Sequence, residues 1–152
     1  MTQPRPFETL KPPPIETLAV TYLTPLIAPM RVLTRMPPTD PNSELPPANT
    51  FIRVEASSGG VTDNGIMFNC QTVIHSYAPY SDEIVAEENI GTALAWMGNA
   101  QGTTVTDPTG WGWYVTYSRI VSLGHRVSDP ITPMSRYRGA VMWRIAGKPL
   151  TA

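Results

Sequence analysis

Residues 66–77 place the strongest constraint on the fold. Ile66, Phe68, Cys70, Thr72 and Ile74 alternate with Asn69, Gln71 and His75, and a period of two over this length puts the two sets on opposite faces of a half-buried strand. The run before it, Thr50-Phe51-Ile52-Arg53-Val54-Glu55, reads as a second strand, with a turn signal at Ser57-Ser58-Gly59-Gly60 between them. A turn at Ala78-Pro79-Tyr80 leads into a helix over residues 81–97. Ser81 suits its N-cap, and Asp82 and Glu83 suit the positive end of the helix dipole. Ala86, Ile90, Ala93, Leu94 and Met97 form its buried stripe, with Glu87, Glu88 and Thr92 turned elsewhere, and Gly98-Asn99 ends it. Gly91 inside the helix costs ~1 kcal/mol relative to alanine, a cost that fits close packing against the sheet.

The remaining elements follow from the same rules. Residues 1–14 carry five prolines and read as an extended arm, with Phe7 and Leu10 as its anchors. Such an arm is either a frayed terminus or a strap laid across a neighbouring subunit. Ile15, Leu18, Ala19, Tyr22, Leu23 and Leu26 give a first helix one apolar stripe, which Pro25 ends or kinks and Pro29 closes. Residues 30–36 read as a strand. Residues 111–120 read as another, with Trp111, Trp113, Val115 and Tyr117 on one face. The last strand covers 136–146, with Tyr137, Val141, Trp143 and Ile145 on one side and Arg136, Arg138 and Arg144 on the other. Loops fall at 37–49, 99–110 and 124–134, and the tail from Gly147 reads as loose. The expected architecture is a two-layer α+β domain over residues 15–152, a mostly antiparallel sheet of about five strands with two helices packed on one face.

Composition narrows the function. The 152 residues carry a net charge of −1, so no global field favours nucleic acid or an anionic membrane. Charged residues are only 15% of the chain, and its 17 prolines are about twice the typical ~5% share. Low charge with many prolines and aromatics fits a surface partly covered by partners, or proline-rich loops on an ordinary domain. Cys70 is the single cysteine, which excludes an intrachain disulfide framework and reads as a structural thiol in an apolar stripe. The sequence shows neither the apolar h-region of a signal peptide nor a membrane-length apolar run, so a reducing cytosol, or a particle assembled there, is the expected compartment.

No chemistry-bearing motif emerges. His75 and His125 lack partners at metal-ligand spacing, no Gly-x-Ser-x-Gly elbow occurs, and Gly59-Gly60 lacks the Lys-Ser/Thr of a phosphate loop. The carboxylate pairs Asp82-Glu83 and Glu87-Glu88 read as a cap and a solvated face. No enzyme activity, metal or cofactor is expected. Arg136, Arg138 and Arg144, with Arg119, His125 and Arg126 near them, are either candidate phosphate contacts or the charged solvent face of an edge strand. Trp111, Trp113, Trp143 and Tyr117 are either a base-stacking platform or core filling.

One family resemblance rests on particular residues. A proline-rich start, a helix and a strand lead to Pro-Ala-x-x-Phe-Ile-Arg-Val (Pro47 to Val54), then Gly59-Gly60, the long alternating strand and an Ala/Glu-rich helix. Across residues 15–98 this order resembles the tail terminator proteins of long-tailed bacteriophages, particularly those of actinobacterial hosts. Family members often run from this strand directly into Arg-x-Gly-Gly, whereas Glu55-Ala56-Ser57-Ser58 intervenes here. The resemblance implies a small α+β virion protein, assembled in the host cytoplasm, that forms a hexameric ring. The ring caps the major tail tube protein, meets the head-side connector or stopper, and lets DNA pass its lumen without specific binding. It implies no active site and no membrane. Candidate subunit or ring–ring contacts are then Phe7, Leu10, Leu45, Thr103, Thr104, Val105, Ile131 and Met134, and candidate lumen or neighbour-facing positions are Asn69, Gln71 and His75. Alternatives are another neck protein, such as a stopper or head-completion subunit, and a small single-stranded nucleic-acid-binding module.

Overall fold

The computed structural model describes residues 9–37, 50–57, 65–128 and 134–150, and the backbone of 61–63. In chain order the elements are β1 (Leu10–Lys11), α1 (Ile15–Ile27), β2 (Arg31–Leu33), β3 (Phe51–Ala56), β4 (Val61–Asp63), β5 (Met67–Pro79), a 3-10 turn (Tyr80–Asp82), α2 (Glu83–Gly98), β6 (Thr104–Thr106), β7 (Gly112–Arg126), β8 (Met134–Ala146) and β9 (Lys148–Pro149). The main sheet runs β2-β3-β5-β8-β7-β6, with β4 pairing β5 beside this path. Only the β2–β3 pair is parallel among these ladders. Both helices cover one face, so the domain is α+β in two layers, as the sequence leads one to expect, although the main sheet has seven strands rather than about five and a separate two-stranded sheet joins β1 and β9.

The core lies between the layers. Leu18, Ala19 and Leu23 of α1 and Ala86, Ile90, Ala93, Leu94 and Met97 of α2 meet Ile52, Val54, Ile74, Val115, Val141, Trp143 and Ile145 of the sheet. All five residues of the expected α2 stripe are buried. Tyr22 ties the two helices together. Its ring meets Trp143 edge-on at 5.4 Å, and its hydroxyl donates to the Trp96 carbonyl at 2.7 Å.

Several expectations are corrected. Helix α1 runs two residues past Pro25, because Pro25 is exposed near the helix end, where little continues beyond it to kink. Asp82, not Ser81, occupies the N-cap of α2, since residues 80–82 form the 3-10 turn. The strand expected at 30–36 shortens to three residues. The strand expected at 111–120 extends to Arg126, and the last strand starts at Met134. The tail is not loose: β9 pairs antiparallel with β1, Leu10 facing Pro149, and the Leu150 amide donates to the Thr9 carbonyl at 3.1 Å. The part of the arm from Thr9 onward is therefore fastened to its own chain.

Gly91 does not sit against the sheet. A Cβ there meets nothing within 4 Å, whereas one on Gly139 would stand 2.8 Å from Leu94 of α2 and 3.0 Å from the Ser122 carbonyl. Close approach of helix to sheet thus depends on Gly139, and Gly91 is a solvent-side position carrying only its helix cost. Gly91→Ala is expected to stabilise the fold by ~0.5–1 kcal/mol and raise the melting temperature by about 1–4 °C in a thermal scan. An unchanged or lower melting temperature would contradict this placement.

Candidate functional site: the helix-free sheet face

Alternation along β3, β5 and β8 sends Phe51, Arg53, Glu55, Asn69, Gln71, His75, Tyr77, Arg136, Arg138 and Arg144 to the face away from the helices. The register places Arg53 opposite His75, His75 opposite Arg138, and Tyr77 opposite both Phe51 and Arg136. Glu55 and Arg136 are therefore diagonal neighbours of His75, within reach of long side chains.

These residues form a hydrogen-bonded chain. Arg136 donates from Nη2 to His75 Nδ1 at 3.0 Å. With Nδ1 accepting, the imidazole proton sits on Nε2, which donates to Glu55 Oε1 at 2.8 Å. Glu55 Oε2 also accepts from Arg53 Nη1 at 3.0 Å. The His75 side chain is 1% exposed. Burial, aided by the guanidiniums of Arg53 and Arg136, pulls its pKa down to about 4, against the pull of Glu55 in the other direction. The neutral imidazole is the form this chain needs, because a second ring proton would point at Arg136. Beside it, Phe51 and Tyr77 stack at 4.8 Å, and with Met134 they form a second apolar cluster edged by Leu33.

The sequence-derived candidates separate accordingly. His75 is not a lumen-facing or neighbour-facing side chain but is buried inside its own subunit, since Glu55 and Arg136 converge on it from the flanking strands. Asn69 and Gln71 are half-buried on this face, and Asn69 Oδ1 accepts from Arg144 Nε at 2.9 Å. Among the three arginines of β8, Arg138 is exposed and Arg136 and Arg144 are half-buried. Arg119 joins them by register, opposite Met142, and His125 stands opposite Arg138. Arg126 belongs to the other side, paired with Tyr137 in the ladder and with Glu83 of α2 in an ion pair.

The tryptophan-rich strand also divides. Trp113 and Val115 are buried in the core and Trp111 packs against it. A register shift between Val115 and Tyr117 turns Tyr117 to the helix-free face, where its ring lies 5.9 Å from the Arg144 guanidinium. The expected single face of Trp111, Trp113, Val115 and Tyr117 is thus broken by a bulge at Thr116, whose hydroxyl donates to the Arg144 carbonyl at 2.9 Å.

Of the expected contact residues, Met134 and Val105 lie in the chain's own core, at 2% and 4% exposure. Pairing of residues 134–146 with β5 draws the first into the sheet, and the β6–β7 hairpin draws in the second. Leu10 is half-buried in the β1–β9 pair. Thr103 and Thr104 border a groove of about 370 Å³ between α1 and β6, whose walls include Tyr22, Pro25 and Leu26. Phe7, Leu45 and Ile131 lie outside the described residues.

Arg53 and Glu55 belong to the ionic chain although no motif marks them. Their face is readable from alternation, but their partners are set by register across three strands. The outward apolar residues of α2 are likewise unmarked by any motif. Ile84, Val85 and Trp96 are exposed, and all three fall outside the buried stripe.

Among the described residues little else on the surface suggests chemistry. A cleft of about 470 Å³ is lined by Tyr80, Glu83, Arg126, Ser128, Ser135 and Arg136, but Arg126 is held by Glu83 and Arg136 by His75. Burial pushes the Cys70 thiol up to about 11, so thiolate is scarce near neutrality. Among the described residues no three His, Cys, Asp or Glu side chains converge as metal ligands, and no helix is long and apolar enough to cross a membrane. A scan against protein-family models and a search of curated proteins both found no match.

Proposed function

We propose that the protein is a structural assembly subunit of the phage tail terminator kind. It joins copies of itself in a ring, expected to be hexameric, that caps the tail tube and meets the head-side connector in the virion neck. The observation that carries this reading is the state of the two outer faces. The helix-free side of the sheet bears Tyr117, Arg119 and Arg138 in the open, and the outer side of α2 bears Ile84, Val85 and Trp96. A chain of this size that leaves aromatic and aliphatic side chains outside both layers is suited to association. The resemblance across residues 15–98 supplies the kind of association.

Negative-stain images of the purified chain test this reading, with six-fold rings as the expected result. A particle that stays monomeric and instead shows a salt-sensitive shift on single-stranded DNA would overturn it in favour of a nucleic-acid-binding module.

A further inference from the structure

We propose that the outer face of α2 in one copy docks on the helix-free sheet face of the next, a head-to-tail contact between copies of this chain. The inference rests on the ring-subunit reading and names the two surfaces that reading requires.

The first observation is that α2 carries exposed apolar groups on its outer side too, beside Glu88 and Thr92. Its inner stripe fills the core, yet Ile84 is 73% exposed, and Val85 and Trp96 also stand outside. A helix that borders water on its outer side ordinarily carries polar residues there. Exposed Gly91 and Ala95 lie among these side chains and leave the outer surface low.

The second observation is the sign of the charge. Helix α2 holds Glu83, Glu87 and Glu88 and no lysine or arginine, and Asp82 precedes it. Arg126 is ion-paired with Glu83 and is also within electrostatic reach of Glu87, while Asp82, Glu87 and Glu88 are exposed. The opposite side of the molecule carries Arg53, Arg119, Arg136, Arg138 and Arg144. Among the described side chains of that face Glu55 is the one carboxylate, already bonded by Arg53 and His75. One chain thus presents acid and exposed apolar groups on its helix layer, and exposed guanidiniums on its sheet layer.

This polarity selects the geometry. A two-fold contact through α2 would set glutamates against glutamates, and one through the sheets would set arginines against arginines, both opposed by like-charge repulsion. A head-to-tail contact brings Glu87 and Glu88 toward Arg119 and Arg138, and removes Ile84, Val85 and Trp96 from water. A contact of this heterologous type closes into a ring when the rotation per subunit divides the circle. Phosphates of a nucleic acid would also suit the arginines, but they would leave the apolar outer side of α2 uncovered, so a second copy is the better occupant.

Exchange of charges at exposed positions is the test. The double variants Arg119→Glu/Arg138→Glu and Glu87→Arg/Glu88→Arg are made in the full chain, with circular dichroism confirming that each folds. By analytical ultracentrifugation each alone is expected to need about tenfold or more protein to assemble, because each places like charges across the contact. Mixing the two variants in equal amounts is expected to restore assembly, since every contact in an alternating ring again joins opposite charges. Wild-type assembly that is unaffected in both variants, or a mixture that stays dissociated, overturns the head-to-tail assignment while leaving the ring reading standing. A duplex DNA probe that binds the wild type but not Arg119→Glu/Arg138→Glu, with Glu87→Arg/Glu88→Arg assembling normally, overturns it in favour of a phosphate surface. A wild type that never assembles removes the ring reading and this inference together.

Discussion

Trp143→Ala is expected to cost about 4–5 kcal/mol, enough to leave much of the population unfolded in a domain whose total stability is of order 5–15 kcal/mol. Trp143 is 1% exposed at the centre of the layer interface, held edge-on by Tyr22. Its indole Nε1 donates to the Met97 carbonyl at 2.7 Å, so truncation opens a cavity and also strips a buried carbonyl of its partner. Trp143→Phe retains most of the packing and loses the hydrogen bond, with an expected cost of about 1–2 kcal/mol. Urea denaturation followed by far-ultraviolet circular dichroism measures both. The midpoints should fall in that order with unchanged slopes. Equal losses for Phe and Ala would mean that the hydrogen bond, not the packing, dominates.

Stability is expected to fall by up to ~3 kcal/mol as the pH drops from about 6.5 to about 4. The cause is His75, whose pKa in the folded chain is lowered to about 4. Between these values the unfolded chain takes up a proton that the folded chain refuses, so unfolding gains with each step downward in pH. Above about 6.5 the histidine is neutral in both states and this contribution is fully present. Glu55 has a folded pKa below its ordinary value, chiefly through its bonds to His75 and Arg53 acting against desolvation, so its own loss falls at lower pH. His75→Gln keeps a donor and an acceptor but cannot titrate, and should flatten the slope between pH 6.5 and 4 on a lower baseline. A slope as steep in the variant as in the wild type would remove His75 from this role.

The parts of the fold that were legible in the sequence are those with their own periodicity. The five buried positions of α2, the α1 stripe up to Leu23 and the alternation of residues 67–77 each span enough residues for the pattern to emerge, whereas Leu26 and Ile66, at the ends of the expected runs, are exposed. Strands β1, β6 and β9 contain two or three residues and have no period to read. They exist because a partner strand pairs with them. Tyr117 lies on the opposite face from the one its alternation predicts because a bulge at Thr116 reverses the positions that follow, until the next register shift between Ile120 and Ser122, and a bulge leaves little local trace. His75 teaches a related lesson. Alternation correctly set it away from the helices, but a polar residue on that face reads as solvated until the register brings Glu55 and Arg136 onto it. The exposed apolar residues of α2 were visible as residues off the buried stripe, but only the packed structure shows that nothing in the described chain covers them.

The proposed role of this domain is to join copies of itself in a closed ring. Native mass spectrometry of the purified chain across a range of ionic strengths tests it most directly. A ring subunit should give a dominant species of six times the 16.7 kDa chain that gives way to smaller species as salt rises. A spectrum holding only the single-chain mass at every concentration and salt would contradict it.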